Sequence, residues 1–208
     1  MKTSLSRVEK ILRQIILKDL ANKGRRGWDK PHTEAVVYWI KYLLEEIDQE
    51  FDHLVMVTAA YAHDWGYMGL FEGIDSSDYR EIIKRKKMHM KLGADKIEQL
   101  IYRRLSRFFT EKQTLRTVYL VEWHDAFDKI KDEDQVLLLE ADTLGAMDMS
   151  RLPGGMSYES NQKYVRDVRE KRFPLFRHKV AKEMGEKLLQ ERIDFYENKF
   201  KSDDIKPE

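Results

Sequence analysis

The chain has 208 residues, with 38 Lys and Arg against 37 Asp and Glu, six histidines and no cysteine. The missing cysteine excludes a disulfide scaffold, an iron–sulfur cluster and a thiol nucleophile, and leaves any metal site to nitrogen and oxygen ligands. A net charge of +1 gives no global attraction to nucleic acid or an anionic membrane, while 42% apolar residues suffice for a sizeable core.

Taken in chain order, the pattern is helical almost throughout. Val8, Ile11, Leu12, Ile15, Ile16 and Leu20 recur at spacings of three and four, with Ser4 or Ser6 as cap and Gly24 past the end. Lys and Arg interrupt this first stretch, so it lacks a signal-peptide core. A second helix begins near Pro31, a residue tolerated in a first turn, and runs to Ile47. Phe51 to Trp65 is apolar nearly all round and reads as a central helix, ending before Gly66 and Gly69. Asp75, Ser76, Ser77 and Asp78 offer caps for a long helix reaching Tyr102, followed by helices over Glu111–Phe127 and Asp134–Ala146. Pro153, Gly154 and Gly155 interrupt the chain. Beyond them come a charged stretch, Tyr158–Arg172, and a last amphipathic helix after Pro174. No β-hairpin signal and no run of ~20 apolar residues is present. The expectation is an all-α, cytoplasmic protein with no membrane partner and no nucleic-acid partner; self-association is left open.

The chemistry lies in histidines and aspartates. His63-Asp64 closes the apolar run Val57–Ala62, and a second such pair, His124-Asp125, closes Val118–Trp123. Adjacent helical residues point about 100° apart, so both members of a pair can reach one ion lying between them. Asp142 is embedded in Leu137-Leu138-Leu139-Glu140-Ala141-Asp142-Thr143-Leu144-Gly145-Ala146-Met147, where a charge is costly unless paired or bound to metal. His32 sits in a first turn, and His89 follows the basic run Lys84-Arg85-Lys86-Lys87. Four histidines and two aspartates therefore fall on separate helices in the order H, HD, H, H, D.

That order, with Ala141-Asp142-Thr143-Leu144-Gly145-Ala146-Met147 as its last motif, resembles the HD-domain superfamily of metal-dependent phosphohydrolases over about residues 28–151. Thr143 and Ala35 stand where the family often has arginine, departures that touch substrate contacts rather than metal ligands. The resemblance implies a compact helical bundle of HD-domain type. In it, residues 1–27 form a helix packed on the body, 28–151 the metal-binding core and 152–208 a C-terminal helical extension. It further implies that His32, His63, Asp64 and Asp142 hold one divalent ion, and that His89 and His124 hold a second, with Asp64 bridging. Manganese, iron, zinc, nickel or cobalt suits such donors. The implied activity is hydrolysis of a small phosphate ester, nucleotides among the candidates, by a metal-bridging hydroxide. Asp64 and Asp125 are the candidate catalytic carboxylates, Asp125 as a ligand-orienting or proton-handling group. Lys30, Lys84, Arg85 and Arg151 are candidate phosphate contacts, against the plainer reading of a solvated helix face for the basic run. Trp65 and Tyr67 read as pocket wall or as core, Gly154 and Gly155 as hinge or connector, and His53 and His178 as structural. The same donors also suit a mixed-valence di-iron oxygenase, and a third reading is a non-catalytic module in which metal only stabilises the fold.

Overall fold

Side-chain caps fix where most helices begin. In the computed structural model, which describes residues 2–74, 78–152 and 154–203, the Asp52 carboxylate accepts from the backbone N–H groups of Leu54 and Val55 and starts α4, His53–Ala62. Asp78 likewise caps α5, Tyr79–Leu100; the other expected caps, Asp75, Ser76 and Ser77, lie outside the described residues. Reciprocal capping boxes, Thr110 with Gln113 and Asp132 with Gln135, open α6, Glu111–Trp123, and α7, Glu133–Met147. Helix α3, Asp29–Glu46, carries Pro31 in its first turn. Ahead of it, α1, Lys2–Leu12, passes through a π-helical turn into α2, Lys18–Lys23. Ser4 and Ser6 therefore lie inside α1 and do not start it.

The described residues contain helices and turns and no strand. Helix α4 is buried from Val55 to Ala62 and is covered by α1, α3, α6 and α7, which explains why its sequence shows no polar face. After Ala62 the chain tightens into a 3-10 turn, Trp65–Tyr67, against α5. The turn can approach α5 because residue 66 is glycine: a Cβ there would stand 1.8 Å from the carbonyl oxygen of His89. Gly145 does the same between α7 and α3, where a Cβ would sit 2.9 Å from the Val36 nitrogen.

Beyond α7, the segment after Pro153 (itself outside the described residues) forms α8, Tyr158–Asp167, a π-helical turn, Val168–Arg172, and α9, Lys179–Asp203. One continuous apolar core takes Val8, Leu12 and Ile16 from the N-terminal helix and Val168, Leu188 and Tyr196 from the C-terminal segment together with α3, α4 and α7. Arg192 of α9 is fully buried and donates to the carbonyl oxygen of Ala146, near the end of α7, at 2.7 Å, which ties α9 to the negative end of that helix. No helix among the described residues is long and apolar enough to cross a membrane.

Candidate metal centre

Five helical segments deliver six buried donors to one point. His32 comes from α3, His63 and Asp64 from the end of α4, His89 from α5, His124 from the end of α6 and Asp142 from α7. Two groups result, His32 with His63 and Asp142, and Asp64 with His89 and His124, each with its ligand atoms within 4.8 Å of one another. Asp64 joins them. Its Oδ2 faces the Nε2 atoms of His32 at 3.5 Å and His63 at 3.6 Å, while its Oδ1 faces those of His89 at 3.4 Å and His124 at 3.7 Å. Asp142 Oδ1 lies 3.0 Å from His32 Nε2 and 3.7 Å from His63 Nε2.

Second contacts orient the rings. His63 Nδ1 donates to the Ala60 carbonyl and His124 Nδ1 to the Val121 carbonyl, both at 2.8 Å. A carbonyl only accepts, so the proton is on Nδ1 and Nε2 keeps the lone pair for a ligand bond. The Nε2 atoms of His32 and His63 are 3.2 Å apart, and those of His89 and His124 3.3 Å apart; each gap has room for one proton at most. The Tyr67 ring stacks on His89 at 3.9 Å, which buries that imidazole further.

Electrostatics follow from this crowding. Burial pushes the His63 pKa down and that of His89 down to about 3. For His124 burial is the largest single influence and lowers it, but the hydrogen bond to Asp64 together with the charges of Asp125, Asp64 and Asp142 outweighs burial and the net direction is up. Burial alone would raise the Asp64 and Asp142 carboxyls. The histidines around Asp64, and Arg172 with His32 around Asp142, prevail and hold both below the ordinary carboxylate range.

Beside the cluster lies a cavity of about 60 Å³, whose walls include Arg25, Tyr67, Tyr79, Lys86, Tyr164 and Arg172. Arg25 Nε pairs with Asp29 at 2.6 Å, and one Nη lies 3.7 Å from Asp64. Arg172 donates to Asp142 at 2.8 Å and to Asp125 at 2.9 Å, and Lys86 Nζ sits 3.1 Å from Asp125. Asp125 is therefore at the cavity and not in the ligand cluster; burial raises its pKa, but Lys86 and Arg172 bring it down and keep it ionised, an acceptor rather than a proton donor.

The basic residues singled out from the sequence lie elsewhere, and none of the four lines the cavity. Lys30 is exposed. Lys84 pairs with Glu81, and Arg85 binds Glu81 at 2.7 Å and the Leu70 carbonyl at 2.9 Å. Arg151 lies over the Tyr38 ring at 3.4 Å and pairs with Asp148 at 3.2 Å. Lys86, one turn before His89 on the same helix face, takes the position expected of that basic run; Arg25 and Arg172 went unread. Tyr67 is wall, whereas Trp65 is core, its Nε1 donating to Asp19 at 3.0 Å. His53 is exposed, and His178 donates from Nδ1 to Glu140 at 2.6 Å.

The donor set fits divalent ions. Four carboxyl groups, Asp29, Asp64, Asp125 and Asp142, crowd into this buried region against the three cations Arg25, Lys86 and Arg172, beside four inward-facing Nε2 atoms. Such an arrangement is costly unless cations complete it. Imidazole with carboxylate selects borderline metals of the manganese-to-zinc series over magnesium. No family model, no curated protein and no solved structure matches the chain.

Proposed function

We propose that the chain is a metal-dependent phosphohydrolase of HD-domain type acting on a small phosphate ester. The observation that carries this reading is Asp64, which turns one oxygen to each of two histidine pairs beside a cavity holding Lys86 and Arg172. What bound divalent ions supply there is Lewis acidity, which polarises phosphoryl oxygens and lowers the pKa of water toward neutrality. His32, His63 and Asp142 would hold one ion and His89 and His124 the other, with Asp64 contributing to each. The Ala60 and Val121 carbonyls keep the rings of His63 and His124 in the ligating tautomer. Lys86 and Arg172 bring positive charge to the phosphoryl group, and Asp125 holds these two cations in place. Without cysteine, no thiol intermediate enters the reaction.

The purified protein is expected to carry one or two transition-metal ions per chain and to release phosphate from an ester within a panel of phosphomonoesters, diesters and nucleotides. Asp64→Ala is expected to lose metal and turnover together, read by elemental analysis and phosphate release on one preparation. Metal-loaded protein that hydrolyses none of the panel refutes the proposal. The same two His/Asp groups also suit a second reading, an oxygenase using two irons. Oxygen consumption with an exchange-coupled paramagnetic signal supports that reading, and full activity with manganese removes it.

A further inference from the structure

Two side chains of the C-terminal segment reach the cavity without belonging to the ligand cluster. Tyr164 of α8 lines it, is 4% exposed, and its hydroxyl has no hydrogen-bond partner among the described residues. The ring itself is well fixed, with the Arg192 guanidinium 4.8 Å from its centroid and the Tyr79 ring edge-on at 6.0 Å. A buried, unpaired hydroxyl costs about 1–3 kcal/mol, and a phenylalanine of the same shape would avoid that cost. A hydroxyl kept in such a place, on a cavity wall, is a donor awaiting an acceptor from outside the chain.

Arg172 is the second. It ends a π-helical turn, Val168–Arg172, a local irregularity that often marks functional positions. It donates three N–H groups, to Asp142, Thr143 and Asp125, whereas a guanidinium carries five. Across the cavity Lys86 Nζ lies 3.1 Å from Asp125 and 3.8 Å from the centre of the Phe127 ring. An uncommitted hydroxyl, a guanidinium with donors to spare and an ammonium thus face one space of about 60 Å³.

We propose that Tyr164, Arg172 and Lys86 form a subsite for a phosphate-sized oxyanion, with the Tyr164 hydroxyl donating to an oxygen that the ligand brings. The choice of phosphate rests on the phosphohydrolase reading. The substrate is accordingly a small molecule bound through its oxyanion.

The test is calorimetric titration of inorganic phosphate into metal-reconstituted wild type, Tyr164→Phe and Lys86→Gln, with metal content and melting temperature measured on each. Wild type is expected to bind phosphate. Tyr164→Phe is expected to bind it about ten- to a hundredfold more weakly, the loss of one hydrogen bond to a charged acceptor. Its metal content should match wild type and its melting temperature should equal or exceed it, because no hydrogen bond within the chain is removed and the unpaired hydroxyl is gone. Lys86→Gln is expected to weaken phosphate binding as well. Wild type that binds no phosphate overturns the proposal, as does Tyr164→Phe with unchanged affinity. Should Tyr164→Phe fail to fold, unchanged affinity in Lys86→Gln overturns it. Tyrosine-dependent phosphate binding by a protein that hydrolyses no ester upholds the subsite and refutes the hydrolase reading alone.

Discussion

Burial keeps the His89 imidazole neutral down to a pKa of about 3, against an ordinary value of 6.5. Between those values the unfolded chain binds a proton there that the folded chain does not, so this histidine costs stability progressively as pH falls from 6.5 toward 3. His63 shifts in the same direction. His124, raised by its bond to Asp64 and the charges of the surrounding carboxylates, works the opposite way: its contribution is present below 6.5 and is lost as pH rises through its folded value. The His89 shift by itself favours pH 7 over pH 4.5. The metal-free protein is expected to be less stable at pH 4.5 than at pH 7 by on the order of 2 kcal/mol, measured by thermal denaturation after chelation. A melting temperature that holds or rises at pH 4.5 contradicts the buried, neutral imidazoles. His63, Asp64, His124 and Asp142 were legible in the sequence because each is a polar residue at the end of, or inside, an apolar run, whereas His32 and His89 stood out only by their order along the chain. The cations were not, because burial of a single arginine leaves no trace in a charged stretch such as Val168–Arg172. Only Lys86 carried a signal, its spacing of three from His89.

At the scale of elements, the two histidine pairs are held together by close helix contacts. Gly66 lets the 3-10 turn meet α5, and Gly145 lets α7 meet α3. Gly66→Ala drives a methyl group into the His89 carbonyl, and overpacking of this kind costs about 1–3 kcal/mol. The variant is expected to melt lower and to bind one ion more weakly than the other, since His89 moves while His32 and Asp142 stay. Equal weakening at both sites, or none, in a metal titration followed by elemental analysis argues against this placement. Helix positions were readable from apolar spacing, yet ends were not. Phe51–Trp65 and Glu111–Phe127 read as single helices, whereas the chain leaves α4 after Ala62 and α6 after Trp123, just where His63 and His124 must turn inward to reach the cluster. Residues with helical propensity are there taken out of the helix by contacts distant in sequence, which a local pattern does not contain.

For the whole molecule, the C-terminal segment is as much part of the core as the helices that bear the ligands. Val168, Phe176, Ala181, Leu188, Leu189 and Tyr196 are buried in the same apolar cluster as Ile40 and Val57, and Arg192 ties α9 to the end of α7. A chain cut after residue 151 is expected to lose cooperative unfolding and to aggregate, because those partners would leave a wide apolar face exposed. A soluble fragment with a sharp thermal transition would show instead that residues 1–151 are self-sufficient. The all-α class follows from periodicity summed over many turns and was legible for that reason. The packing of α8, α9 and the turn between them onto the core was not, since it depends on which faces meet across the chain.

Arg172 meets Asp142 and Asp125, which precede it by 30 and 47 residues. During synthesis both carboxylates therefore leave the ribosome before the guanidinium that neutralises them. Until Arg172 follows, Asp142 has no guanidinium against it and Asp125 has Lys86 without Arg172. The centre can reach its final electrostatic balance only when translation has passed the last turn of the segment that closes it.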